Sequence, residues 1–173
     1  MQKNLLFYKK YCFLRKQLTY EVGQQLYYCL RNATTEMITQ TCFQLSPKRR
    51  GCHLITREVM EHLPHPLPQV GMLNLFVQHT SCALSINENA DPDVRTDMSK
   101  IMDHLVREGE PYYDHTMEGL DDMPAHAKSS LFGVSLTIPI TNGRLALGTW
   151  QGIYLCEFRD YGGARKVVAT IYG

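Results

Sequence analysis

The stretch Val134–Leu147, VSLTIPITNGRLAL, decides the architecture. Val134–Ile140 is an apolar, strand-like run, and Arg144–Leu147 is a second one. The Asn142-Gly143 pair between them is the strongest short-range signal for a β-hairpin, because both residues tolerate the positive φ that a tight turn requires. Two more strand-like runs follow, Ile153–Phe158 and Lys166–Tyr172, with Gly162-Gly163 punctuating the gap between them. Consecutive strands joined by short turns predict an antiparallel sheet.

Upstream, the pattern changes. Ile38–Leu45 alternates weakly and reads as a strand that stops at Ser46-Pro47 and the basic turn Lys48-Arg49-Arg50-Gly51. Thr56 is placed to cap a short helix over Arg57–Leu63, which Pro64, Pro66 and Pro68 then terminate. Met72–Val77 is a short apolar run of the buried-strand type. Asp91-Pro92 starts the clearest helix: Asp caps well, Pro is tolerated at the first helical position, and Val94, Met98, Ile101, Met102 and Leu105 form one stripe. Pro124–Leu131 reads as another helix, closed by Gly133. Helices ahead of a mainly antiparallel sheet predict an α+β domain in a two-layer arrangement.

The chain has 173 residues, 44% of them apolar and 20% charged, which suits one globular domain with its own core. A formal charge of +1 argues against nucleic-acid and anionic-membrane partners. No apolar run approaches the ~18–20 residues of a membrane span, so a cytoplasmic protein is expected. The charge is unevenly spread. Residues 1–36 hold six basic residues and two acids, net +4, while 37–173 hold twelve and fifteen, net −3. The leader reads as a loosely ordered extension or as sequence upstream of an alternative start at Met37. Organellar import is the competing reading, weakened by the absence of serine. Six cysteines at positions 12, 29, 42, 52, 82 and 156 lack any CxxC pair and read as free thiols.

Polar chemistry concentrates between His79 and His126, which span four of the seven histidines and most of the acids. His79 follows a buried strand, and strand ends are where scaffolds hold reactive groups. His79, His115 and His126, set among carboxylates, form a candidate site for a divalent cation, zinc or magnesium. Asp91, Asp93 and Asp97 are adequately explained as helix-start acids, and Asp121-Asp122 read the same way. Glu88 stands out because it sits in a run of amides. The sole tryptophan, Trp150, lies between Gly148 and Gly152, either plugging a corner or walling a flat ligand. Arg159 and Arg165 could clamp a phosphate, or one of them could pair with Glu157 inside the sheet. Walker and GxGxxG loops are absent, and Ser81 and Cys82 lack hydrolase motifs.

The blocks Gln78-His79-Thr80-Ser81-Cys82-Ala83-Leu84, Asn87-Glu88-Asn89-Ala90-Asp91-Pro92-Asp93-Val94-Arg95 and Glu118-Gly119-Leu120-Asp121-Asp122-Met123-Pro124-Ala125-His126 resemble the YjbQ family, also called the secondary thiamine-phosphate synthase family. So do Leu147-Gly148-Thr149-Trp150-Gln151-Gly152-Ile153 and Glu157-Phe158-Arg159. The resemblance runs from about Thr41 to Gly173 and leaves residues 1–40 outside. It implies an α+β subunit forming a homotrimer, with a secondary activity that joins a pyrimidine diphosphate to a thiazole phosphate with loss of diphosphate.

For that transferase chemistry, Arg159 and Arg165 are expected to meet phosphate and Trp150 to stack on a heteroaromatic ring. A metal at His79, His115 and His126 would be oriented through Glu88 or Glu118. Histidine ligands favour a transition metal, whereas diphosphate departure usually employs magnesium on oxygens. Two alternatives use the same residues: a metal-dependent hydrolase of a small phosphorylated substrate, and a non-catalytic trimer that binds a ligand or metal.

Overall fold

The computed structural model describes residues 22–24 and 38–173. Val22–Gln24 have helical backbone; the import and extension readings of the leader otherwise concern residues outside this range. The chain divides between residues 36 and 37, and the second unit carries the fold described below.

Among the described residues of that unit, eight strands and three helices follow in order: β1 (Ile38–Leu45), β2 (Gly51–Leu54), α1 (Thr56–His62), β3 (Val70–Val77), β4 (Cys82–Glu88), α2 (Pro92–Leu105), α3 (Asp122–Phe132), β5 (Ser135–Thr141), β6 (Arg144–Leu145), β7 (Gln151–Glu157) and β8 (Arg165–Tyr172). The hairpin expected at Asn142-Gly143 forms between β5 and β6, with φ of 52° and 71° at the two turn residues. The two-residue type I′ turn demands that pair of positive φ values. In α2, the Asp91 carboxylate accepts a hydrogen bond from the Asp93 N–H at 2.8 Å, so the cap forms as expected. Its apolar stripe is only partly used: Met102 is buried, while Ile101 and Leu105 remain exposed. Thr56 does not cap α1. Its hydroxyl oxygen accepts from the Ile153 N–H at 2.8 Å and ties the helix start to β7.

The strands form two antiparallel sheets, one of five strands in the order β1-β8-β3-β5-β6 and one of three in the order β2-β7-β4. Side chains alternate across a strand, so the inner face of the larger sheet presents Leu73, Leu75, Ile138, Ile140, Val167 and Ala169 to Leu84, Ile153 and Leu155 of the smaller one. Truncating a buried leucine such as Leu155 to alanine costs about 2–5 kcal/mol in a core of this kind. On the other face of the smaller sheet, Ala83 and Cys156 pack against Met102 of α2 and Ala125 of α3. The expected two layers are therefore three: sheet, sheet and helices.

That middle position explains why β4 is missing from the sequence reading. A sheet covered on both faces loses the polar–apolar alternation that marks a half-exposed strand. Cys82, Ala83 and Leu84 are consecutive and all buried, whereas β7, just as buried over Ile153–Glu157, stays legible through its continuous apolar run. Short β2 hides in the segment after the basic turn. The larger sheet, by contrast, has no other element of this unit packed on its outer face among the described residues. One cross-strand row there is Ile38, Tyr172, Met72 and Pro139, and another is Cys42, Val168, Phe76 and Ser135. Between them runs a polar row in which Gln40 donates to Thr170 at 2.9 Å and Asn74 to Thr137 at 3.2 Å.

Candidate functional site

At the start of α3 the fold buries an acid. Asp122 is 1% exposed, yet its carboxylate faces two histidines and an arginine. His115 Nε2 lies 2.6 Å from Asp122 Oδ2, and His126 Nε2 lies 3.3 Å from the same oxygen. Arg159 Nη1 pairs with the other oxygen, Oδ1. Asp122 and His126 are four residues apart on a helix, which stacks them on one face. His115 arrives from the irregular segment before the helix.

The proton positions on His126 follow from its neighbours. Its Nδ1 lies 3.0 Å from the Thr80 carbonyl oxygen, which can only accept, so Nδ1 carries the hydrogen. In the neutral ring, Nε2 then offers a lone pair toward the Asp122 carboxylate. Two lone-pair atoms at that separation need a proton or a cation between them. The ligand atoms of His115, Asp122 and His126 all lie within 4.8 Å of one another. A carbonyl on the far nitrogen of a ligating histidine and an arginine on the far oxygen of a carboxylate are the usual outer supports of a metal site.

Asp121 is not a helix cap. Its Oδ2 accepts from Arg159 Nε at 2.9 Å and from the Asp160 N–H at 3.0 Å, and no side-chain cap forms on α3. Although burial pushes its carboxyl upward, those two donors hold it below the ordinary carboxylate range. Arg159 Nη2 also donates to the Glu118 carbonyl at 2.8 Å. Arg159, expected to clamp phosphate, is thus committed to two aspartates and a backbone oxygen, where it orients Asp122. Glu118 keeps its carboxylate exposed on the same loop.

Arg165 departs further from its expected role. It lies buried against Glu157, which is fully buried, with Nε to Oε2 at 2.6 Å and Nη2 to Oε1 at 2.5 Å. Burial opposes the charge, but the Glu157 hydrogen bonds raise the guanidinium pKa. This is the pairing within the sheet weighed above, and it leaves no guanidinium edge for a ligand phosphate. Gly162 makes room for it, since a Cβ there would fall 2.4 Å from Arg165 Nη2 and 2.5 Å from Glu157 Cδ.

His79 is likewise diverted from the three-histidine set. Its Nε2 accepts from the Lys166 N–H at 2.8 Å, and its Nδ1 lies 3.3 Å from Arg165 Nη1. Burial, and then the Arg165 charge, depress its pKa. Among the described residues, the side chains close enough together to share one cation are therefore His115, Asp122 and His126, with aspartate where the sequence suggested His79. The i, i+4 spacing of Asp122 and His126 was the signal available in the sequence.

Glu88 and Trp150 lie elsewhere. They line a cleft of about 430 Å³ with Ile86, Asn87 and Gln151, at the end of β4 where Glu88 pairs with Gln151. Trp150 is 65% exposed there and plugs no corner. Thr80 and the metal-type cluster sit beyond the opposite end, at Cys82, and seven strand residues separate the two ends by roughly 20 Å. Within one chain, Glu88 does not orient the histidine cluster.

Comparison with known proteins agrees with this fold and covers all these residues. The family model described as UPF0047 protein YjbQ-like matches residues 41–173. The chain is 50% identical over 135 residues to UPF0047 protein YjbQ of Salmonella typhimurium, covering 78% of this chain and 97% of that protein. Its counterpart in Escherichia coli O157:H7 is 47% identical with the same coverage. The crystal structure of a YjbQ/UPF0047-family protein from Clostridium acetobutylicum superposes with a TM-score of 0.64 at 38% identity, covering 77% of this chain and 98% of that one.

Proposed function

The chain belongs to the YjbQ-like UPF0047 family, and from that premise we propose that its chemistry is that of a divalent-metal centre acting on a small phosphorylated substrate. The observation that carries the reading is the facing of His126 Nε2 and the Asp122 carboxylate, with the Thr80 carbonyl fixing the histidine tautomer. Two imidazoles and one carboxylate suit zinc better than magnesium, which prefers an all-oxygen shell. A divalent cation held there supplies Lewis-acid charge beside a phosphoryl oxygen.

The chain's own residues then have separable tasks. His115 and His126 present nitrogen donors from the loop and the helix. Asp122 supplies the anionic ligand, held in orientation by Arg159. Glu118, tied to Arg159 through its backbone carbonyl and carrying an exposed carboxylate, is the candidate base. His115 and His126 are partly solvent-exposed, leaving the cluster open to a substrate. Hydrolysis of a phosphate ester needs only this cluster, and it is the reaction the geometry favours.

A second reading, transfer of a pyrimidine diphosphate to a thiazole phosphate, is favoured by one specific feature: the exposed indole of Trp150 beside Glu88 offers a stacking wall for a flat ring. That cleft can join the metal cluster only across subunits. The uncovered apolar rows on the outer face of the larger sheet support self-association, for which we propose the homotrimer implied by the family resemblance.

Elemental analysis of the full-length protein tests the centre directly. About one zinc per chain, lost on Asp122→Asn or His126→Ala, is the expected outcome for a tetrahedral site with three protein ligands. Metal-free protein whose stability ignores chelators would overturn it. Turnover of simple phosphate esters without a thiazole acceptor selects hydrolysis; product only with both thiamine precursors selects transfer.

A further inference from the structure

Two of the six cysteines, distant in sequence, meet in the fold outside the site just described. Cys52 of β2 and Cys156 of β7 are directly opposite in the antiparallel register. Opposed residues in such a ladder have Cα atoms about 4.5–5.5 Å apart and side chains on the same face. That separation falls inside the ~4.4–6.8 Å window that a disulfide requires. The two sulfurs already lie 3.8 Å apart, so rotation of the side chains can close them without moving the strands.

The pair is also asymmetric. Cys156 is 2% exposed, locked between the smaller sheet and Met102 of α2. Cys52 is half-buried and opens onto a cleft of about 470 Å³, shared with Arg50, His53, Arg95, Ser99 and Lys100. Cationic surroundings favour a thiolate. Asp103 opposes this, but its carboxylate is itself held by Lys128 at 2.5 Å and Arg50 at 2.7 Å. The hydrogen bond shared with Cys156 holds the Cys52 thiol below its ordinary value, whereas that bond and burial push Cys156 up. One thiol is reachable from the cleft, and the other is shielded from solvent beside it.

We propose that Cys52 and Cys156 form a peroxide-sensitive thiol pair in which Cys52 is oxidised first and Cys156 resolves it into a cross-strand disulfide. The Cys52 thiolate attacks a hydroperoxide, whose O–O bond breaks; sulfur keeps one oxygen as a sulfenic acid, and the other leaves as hydroxide or alkoxide and takes up a proton. The Cys156 sulfur then loses its proton and displaces the sulfenic oxygen as water. Overall, two thiols lose two electrons and two protons, and the peroxide is reduced by the same count. Cys42, exposed on the outer face of the larger sheet, and Cys82, buried with its thiol pushed up to about 12, have no such partner among the described residues and serve as internal controls.

The test uses the reduced full-length protein, exposed to hydrogen peroxide, quenched with an alkylating reagent and mapped by peptide mass spectrometry. The expected result is a peptide pair joined through Cys52 and Cys156, a mass lower by two hydrogens, and full reversal by dithiothreitol. Cys156→Ser should leave Cys52 trappable by dimedone as a sulfenic acid, and Cys52→Ser should leave Cys156 a free thiol. The proposal is overturned if Cys52 in the parent proceeds to sulfinic acid, links to another cysteine, or remains alkylatable. If Cys156→Ser fails to fold, the peptide map of the parent protein decides the matter alone.

Discussion

Two carboxylates in this molecule are each held by an arginine, and they behave as opposites. Glu157 and Arg165 are sealed inside the middle of the fold, with every oxygen of the acid occupied by a donor. Asp122 is just as buried, yet beside its arginine it faces two histidines that reach solvent. A sealed pair satisfies its own charges and has nothing left for a ligand. An open one, whose remaining oxygen faces two imidazole nitrogens that reach solvent, leaves a place where a proton or a cation can sit. Burial of the acid does not separate these cases; the identity and exposure of its other partners does.

The sharpest way to break this comparison is to remove one partner of the sealed pair. Glu157→Gln leaves the Arg165 charge buried without its counter-charge, which costs about 3–5 kcal/mol in such settings. Gly162→Ala forces the same pair apart and should also destabilise strongly. Urea unfolding measures both, and a loss below about 1 kcal/mol for Glu157→Gln, the value of an exposed pair, would show that the pair is not sealed. Arg159→Gln acts on the open cluster instead. It should weaken zinc affinity roughly 10–100-fold, as loss of an outer support does, with a smaller effect on stability than Glu157→Gln. Competition against a chromogenic chelator reads this, and unchanged affinity would detach Arg159 from the site.

The pH response separates the regions further. The pKa of His79 is depressed in the folded state, so the unfolded chain binds its proton first as pH falls below the ordinary histidine value near ~6.5. Stability from this group is therefore complete above that value and declines beneath it. His79→Gln should flatten this part of the stability–pH curve. A further decline, beginning as pH falls below the ordinary carboxylate value because Asp121 and Asp103 hold their protons off to lower pH in the folded state, should persist in that variant. Midpoints of thermal unfolding across a pH series decide it. The smallest effect belongs to Trp150→Ala: within about 0.5 kcal/mol on stability, as for exposed sites, and none on zinc affinity. A loss of zinc binding there would join the two clefts that lie apart in one chain.

Much of the fold is legible in the sequence. The Asn142-Gly143 hairpin, the Asp91-Pro92 helix start and the Gly133 stop depend on local dihedral preferences, and each formed as read. β4 was not legible because Cys82–Leu84 are covered on both sides, which erases the alternation that marks a strand. The candidate site was half legible. The segments carrying His115 and His126 stand out in the sequence, but there Asp122 reads as a helix-start acid and His79 as a ligand. Whether a carboxylate caps a helix or meets two imidazoles depends on what the chain brings across from Thr80 and Arg159, 42 residues before and 37 after Asp122.

The sequence by itself determined the family, the α+β class, the turns, and the placement of reactive side chains in a few polar blocks. These follow from local backbone preferences and from motif order, both written in neighbouring residues. Tertiary structure alone decided that the helices make a third layer, that Arg165 serves Glu157 rather than a ligand, that Glu88 lies a strand's length from the histidines, and that Cys52 faces Cys156. Each of these depends on strand register and sheet packing, which juxtapose residues by the free energy of burying whole faces and leave no trace in local spacing.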